Sequence, residues 1–75
     1  MSMRNLFKDV KLGELFLTRA GETAVYAGYS GSDWYPHRLA IIGRVMTEVY
    51  SDNGENLCTS VGQKGDDDII QKLNV

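Results

Sequence analysis

Seventy-five residues with one cysteine and one histidine fit a single domain with one small hydrophobic core, and leave no internal disulfide or closed four-ligand zinc set to staple it. Eight basic against ten acidic residues, a formal charge of -2, lack the basic excess with which a nonspecific nucleic-acid binder displaces counterions from phosphate. No apolar run approaches the roughly 18 residues of a membrane span and the first five residues carry no signal-like stretch, so a cytoplasmic protein with no membrane partner is expected.

At the N-terminus, Leu6, Phe7, Val10 and Leu12 recur at spacings that place them on one side of a short helical turn, which Gly13 ends before it can stand without packing. Residues 1–10 therefore read as an N-terminal extension plugging one end of a single domain that spans 1–75. Glycines then separate brief runs rich in Val, Ile, Leu, Tyr and Thr, the pattern of short antiparallel strands. Glu14–Thr18 and Thr23–Ala27 flank Arg19-Ala20-Gly21-Glu22 and read as a hairpin. His37–Ile42 and Val45–Tyr50 flank Gly43-Arg44, a pair suited to a two-residue turn with glycine first. Leu39 and Ile41 share one face of the third run, with Arg38 and Ala40 on the other.

Ser51-Asp52-Asn53-Gly54-Glu55 holds an Asn-Gly pair, the signal of a type I′ turn with positive φ at both central positions. A short fifth strand is expected at Leu57–Ser60, then a polar loop over Val61–Asp67. Asp68–Leu73 fits either a closing strand or one capped helical turn, and its shortness favours the strand. The whole is all-β: an antiparallel barrel of five to six short strands with few exposed edges.

Gly28–Ala40, GYSGSDWYPHRLA, gathers the only tryptophan, proline and histidine of the chain beside Tyr29 and Tyr35. Ser30–Asp33 forms a flexible polar loop that delivers Trp34 and Tyr35 near its end, and Pro36 restrains Tyr35 towards extended geometry. Two readings compete. In the favoured one Trp34 lids an open end of the barrel and Tyr35 packs onto the strands; in the other, Tyr29, Trp34, Tyr35, His37 and Arg38 make a partner-binding surface of the kind enriched in interface hot spots.

Catalytic chemistry has little to stand on. His37 titrates near neutrality by type, but no serine or cysteine lies in a nucleophile signature, and a strand-start histidine bound to backbone or solvent is the simpler reading. Asp66-Asp67-Asp68 alternates faces on an extended chain and lacks the order of a cation loop, so a solvated turn is expected. Cys58, between Leu57 and Thr59 on an expected strand, reads as a small buried hydrophobe. Neither phosphate-binding glycine motif occurs. No catalytic residue, metal or cofactor is expected.

Thr18–Tyr26, Tyr35-Pro36-His37-Arg38, Val49–Glu55 and Asp68–Leu73 together resemble a loose group of short proteins encoded by tailed bacteriophages. That group shows an arginine-x-glycine turn, a tyrosine-proline dipeptide before a strand, a tyrosine-x-x-x-glycine turn and a terminal aspartate-isoleucine-valine strand. The resemblance spans roughly residues 11–73 and departs at Asn56–Asp67. It implies an SH3-like small barrel made in the cytoplasm of an infected bacterium, with no catalytic residues to carry over. The expectation for function is a noncatalytic module that binds a protein, one of the bacterial host if the resemblance holds. The alternatives are a nucleic-acid binder, with Tyr29, Trp34 or Tyr35 stacking on bases above Lys11, Arg19, Arg38 and Arg44, and a self-associating assembly component using Ile42, Met46 and strand edges.

Overall fold

The computed structural model describes residues 5–59 and 63–73, and among them it holds five strands and no helix. They are β1 (Leu15–Thr18), β2 (Thr23–Tyr29), β3 (His37–Ile41), β4 (Thr47–Tyr50) and β5 (Ile69–Lys72). All pair antiparallel in the order β4-β3-β2-β1-β5, a meander whose last strand returns to the first, as in an SH3-like small barrel. The sheet curls into a half-barrel.

Period-2 alternation builds the core. Phe16 and Thr18 of β1, Ala24 and Tyr26 of β2, Leu39 and Ile41 of β3, Tyr50 of β4 and Ile69 of β5 all point inward and are buried. Phe7 joins them at 3% exposure, with Leu6 and Val10 packed against the cluster. The N-terminal segment thus does plug the barrel, but through turns rather than a helix, and Leu12 is exposed instead of packed. Asp9 lies in the left-handed region at φ 57°, and Val10 N–H closes the turn on the Phe7 carbonyl at 3.1 Å.

Closure depends on the segment after β4. The Tyr50–Asn56 bridge and the Leu57 N–H to Val49 carbonyl bond cover the free edge of β4, while Ile69 N–H donates to the Gly54 carbonyl at 2.8 Å. One short loop therefore ties the two edge strands together. Gly54 fits because of its geometry: φ is +87°, and a Cβ there would lie 2.2 Å from the Ile69 carbonyl oxygen, closer than any side chain tolerates. Asp68, 3% exposed, locks the same junction by accepting from Asn56 N–H (3.0 Å), Thr59 Oγ1–H (2.8 Å) and Gly65 N–H (2.9 Å).

Several expectations are corrected by this junction. Leu57–Thr59 is a turn, so the fifth strand expected at 57–60 reduces to the single bridge at Asn56; Ser60, and Val61 and Gly62 of the expected polar loop, lie outside the described residues, as do residues 1–4. Cys58 is exposed, since it has no strand to pack it. Asp68 is a buried acceptor rather than part of a solvated turn. The Asn-Gly turn is also different, because only Gly54 has positive φ and its N–H closes back on the Ser51 carbonyl.

The β3–β4 register, with Ala40 opposite Thr47, is the one a turn centred on Gly43-Arg44 demands. The strands stop pairing before that turn, however. Arg44 N–H closes on the Ile41 carbonyl with Gly43 third in the turn at φ +96°, and Ile42, Val45 and Met46 stand exposed instead of extending the hairpin. Tyr50 presents the opposite case. It is fully buried, and its hydroxyl makes no hydrogen bond among the described residues. Burial raises its pKa to about 12, with the Asn56 side chain lying near enough to oppose the shift in part.

Candidate functional site

The site begins at a bulge. Tyr26 pairs with Leu39 and Gly28 with Arg38, so Ala27 is the extra residue, and the bend it introduces sends the end of β2 into the 30–36 loop. That loop is internally bonded rather than flexible in design. Ser30 N–H donates to the Pro36 carbonyl at 2.8 Å, and the Ser30 hydroxyl donates to the Tyr35 carbonyl while accepting from Ser32 N–H. Tyr35 N–H donates to Ser32 Oγ. Two serines therefore hold the backbone on either side of Trp34.

Trp34 is 83% exposed, which overturns the reading of it as a barrel lid. Phe7 supplies the reason. Its ring lies 5.0 Å from Phe16, 5.8 Å from Tyr26 and 4.2 Å from His37, centroid to centroid, filling the end of the barrel that a lid would have covered. Trp34 turns instead to a cleft of about 380 Å³, lined by Asp33, Trp34 and Tyr35 on one side and Ser51, Asp52, Asn53 and Glu55 on the other. The 51–55 turn that closes the barrel is thus also one wall of the cleft.

His37 connects that wall to the core. Its Nε2 lies 2.7 Å from Asp52 Oδ1 and its Nδ1 2.8 Å from the Tyr26 hydroxyl. A carboxylate only accepts, so Nε2 carries a proton; in the neutral ring Nδ1 then accepts from Tyr26. Both ring nitrogens are used, and the side chain is 12% exposed. Tyr26, His37 and Asp52 look superficially like a catalytic relay, but the phenol at its inner end is 8% exposed. Burial first, then the Asp52 charge, raises its pKa, the reverse of what an activated nucleophile requires. The chain of bonds positions Asp52 at the cleft.

Of the expected partner-binding residues, Trp34 and Tyr35 line the cleft, and His37 stands behind it through Asp52. Tyr29, exposed at 66%, lies opposite His37 on β2, and Arg38 alternates to the other face, where it donates to Thr47 Oγ1. Neither lines the cleft. The residues that sequence reasoning missed are Asp52, Glu55 and Tyr26. Asp52 and Glu55 belonged to a turn with no visible connection to Trp34, and Tyr26 meets His37 only once the bulge sets the register.

The arginines outside this region are largely engaged. Arg44 is clamped between Asp67 and Glu22, which raises its pKa further through the Asp67 hydrogen bond first, and Arg19 lies 3.9 Å from Asp68. No group of three or more His, Cys, Asp or Glu among the described residues is arranged to hold a metal ion, and no helix among them is long and apolar enough to cross a membrane. Comparison with protein-family models, with curated proteins and with solved structures returns no match for this chain.

Proposed function

We propose that this protein is a noncatalytic interaction module that docks a protein partner at the Trp34 cleft. The observation that carries the reading is an indole exposed at 83% on a serine-stapled loop beside a formed cleft. A large apolar ring kept in water costs a small domain core material that it could have used, and preorganised aromatics on loops are what interface hot spots are made of. Trp34 and Tyr35 supply the contact and His37 fixes Asp52 behind it, while Tyr29 and Arg38 stand outside the cleft. The occupied ring nitrogens of His37 and the raised pKa of Tyr26 support a role without catalysis. The likeness to short tailed-bacteriophage proteins makes a protein of the bacterial host the partner to try first, in the host cytoplasm. The pairing of Arg19 and Arg44 with carboxylates favours a protein partner over nucleic acid, since both arginines were needed to meet phosphate.

Affinity capture from bacterial lysate with the protein and with Trp34→Ala tests the reading. Loss of specific partners from the variant is expected, and identical partner sets would overturn it. A second reading has its own observation: Ile42, Val45 and Met46 are exposed together in the loop between β3 and β4, a small apolar tip suited to self-association. Sedimentation at rising concentration decides it, a monomer throughout removing the assembly role.

A further inference from the structure

The cleft carries more chemistry than an exposed ring. Asp33, Asp52 and Glu55 all line it, together with Trp34, Tyr35 and two polar residues, and no basic residue does. Asp33 and Glu55 make no ion pair with any described residue, in contrast to Asp67, Asp68, Glu14 and Glu22, each of which has a cationic partner. Asp52 is oriented by His37 while its side chain remains 52% exposed. Asp9, Glu48 and Asp66 also make no ion pair among the described residues; what sets the cleft apart is that three carboxylates gather in it without a basic residue, beside the most favourable ring for a cation–π contact.

From this we infer that the occupant of the cleft is a lysine- or arginine-bearing extended segment of a protein partner. Its cationic head lies over the Trp34 ring and between the carboxylates of Asp33 and Glu55, with Asp52 held to the site by His37, and the aliphatic stem of the side chain covers the indole. A polyanion such as nucleic acid is repelled by the same three carboxylates. The inference rests on the docking role proposed above and specifies its partner's chemistry.

The test uses the full chain and synthetic eight-residue peptides alternating glycine with lysine, arginine, glutamine or glutamate. Trp34 is the only tryptophan, so its fluorescence reports the site itself, and amide NMR shifts of residues 51–55 report it in variants lacking the indole. Saturable binding of the lysine and arginine peptides at low salt, weakened by added salt, with none by the glutamine or glutamate peptides, is expected. Asp33→Asn with Glu55→Gln should weaken binding about five-fold, and Trp34→Ala about ten-fold. Asp66→Asn, an exposed carboxylate outside the cleft, should change nothing. Equal binding by the Asp33→Asn, Glu55→Gln protein, equal loss in Asp66→Asn, or absence of cationic binding overturns the inference. The docking role fails separately: lysate capture unchanged by Trp34→Ala sinks that role even where cationic peptides bind, and Trp34-dependent capture without cationic binding sinks only the partner chemistry.

Discussion

Two polar loops of similar composition meet different fates in this molecule. Ser30-Gly31-Ser32-Asp33-Trp34 and Ser51-Asp52-Asn53-Gly54-Glu55 each open with a serine whose hydroxyl accepts from nearby backbone N–H groups, Ser32 in one and Asn53 and Glu55 in the other. The second loop is drawn inward, because Gly54 presents its carbonyl to Ile69 and so joins β4 to β5. The first is left outside, because Phe7 already occupies the end of the barrel beside it. Polarity sets neither outcome. What separates the loops is whether a backbone bond across the sheet edge remains to be made when the loop arrives.

The largest effect should come from breaking the inward loop. Gly54→Ala forces a Cβ to within 2.2 Å of a carbonyl oxygen at φ +87°, so left-handed strain and a clash act together. A loss of roughly 3 kcal/mol or more is expected in urea unfolding; a change under about 0.5 kcal/mol would show that the barrel does not close through this contact. Phe7→Ala comes next, at about 3 kcal/mol from the lost ring and the cavity left among Phe16, Tyr26 and His37. Should that variant keep its melting temperature, the N-terminal segment is an appendage and not part of the core.

Tyr50 gives a smaller and pH-dependent effect within the closed region. Its pKa is raised from an ordinary value of about 10 to about 12, so the neutral phenol is favoured in the folded state. That stability is fully present below pH 10, where the unfolded chain also keeps the proton. It declines by about 1.4 kcal/mol per pH unit as the unfolded phenol ionises, and is gone once pH passes the folded value. Tyr26, shifted the same way by burial, adds to the alkaline loss. Tyr50→Phe should leave stability at pH 7 within about 0.5 kcal/mol, because the hydroxyl it removes makes no hydrogen bond among the described residues, and should flatten the fall above pH 10. An unchanged alkaline slope would mean that Tyr50 is not the buried group responsible.

The sequence carries the strand runs well, because period-2 burial of Phe16, Tyr26, Leu39 and Ile41 depends only on local alternation. Glycine turns mark the hairpin positions, and even the β3–β4 register is readable from Gly43-Arg44. Failures begin where contacts are non-local. The Asn56 bridge looked like a strand because Leu57-Cys58-Thr59 has strand composition, yet Asp68, twelve residues on, captures the Asn56 N–H and turns the chain. The Tyr26–His37–Asp52 chain spans three separate elements and depends on the Ala27 bulge. The exposure of Trp34 has the same non-local origin: another ring, Phe7, fills the barrel end.

The smallest expected effect is therefore the most telling for function. With Trp34 at 83% exposure and the barrel end filled by Phe7, Trp34→Ala removes little packing and should shift stability by no more than about 0.5 kcal/mol, as for an ordinary surface position. In a domain of this size that is a melting shift of about 2–4 °C at most. The same substitution should abolish most partner binding, so the two readouts separate cleanly. A loss near 3 kcal/mol would instead restore the lid, since only a buried indole leaves a cavity that large. Acrylamide quenching of the native protein adds an independent measure: quenching close to that of the urea-unfolded chain is expected for an indole standing in water. Strong protection in the free monomer would sink the outward loop, and with it the contrast on which the cleft depends.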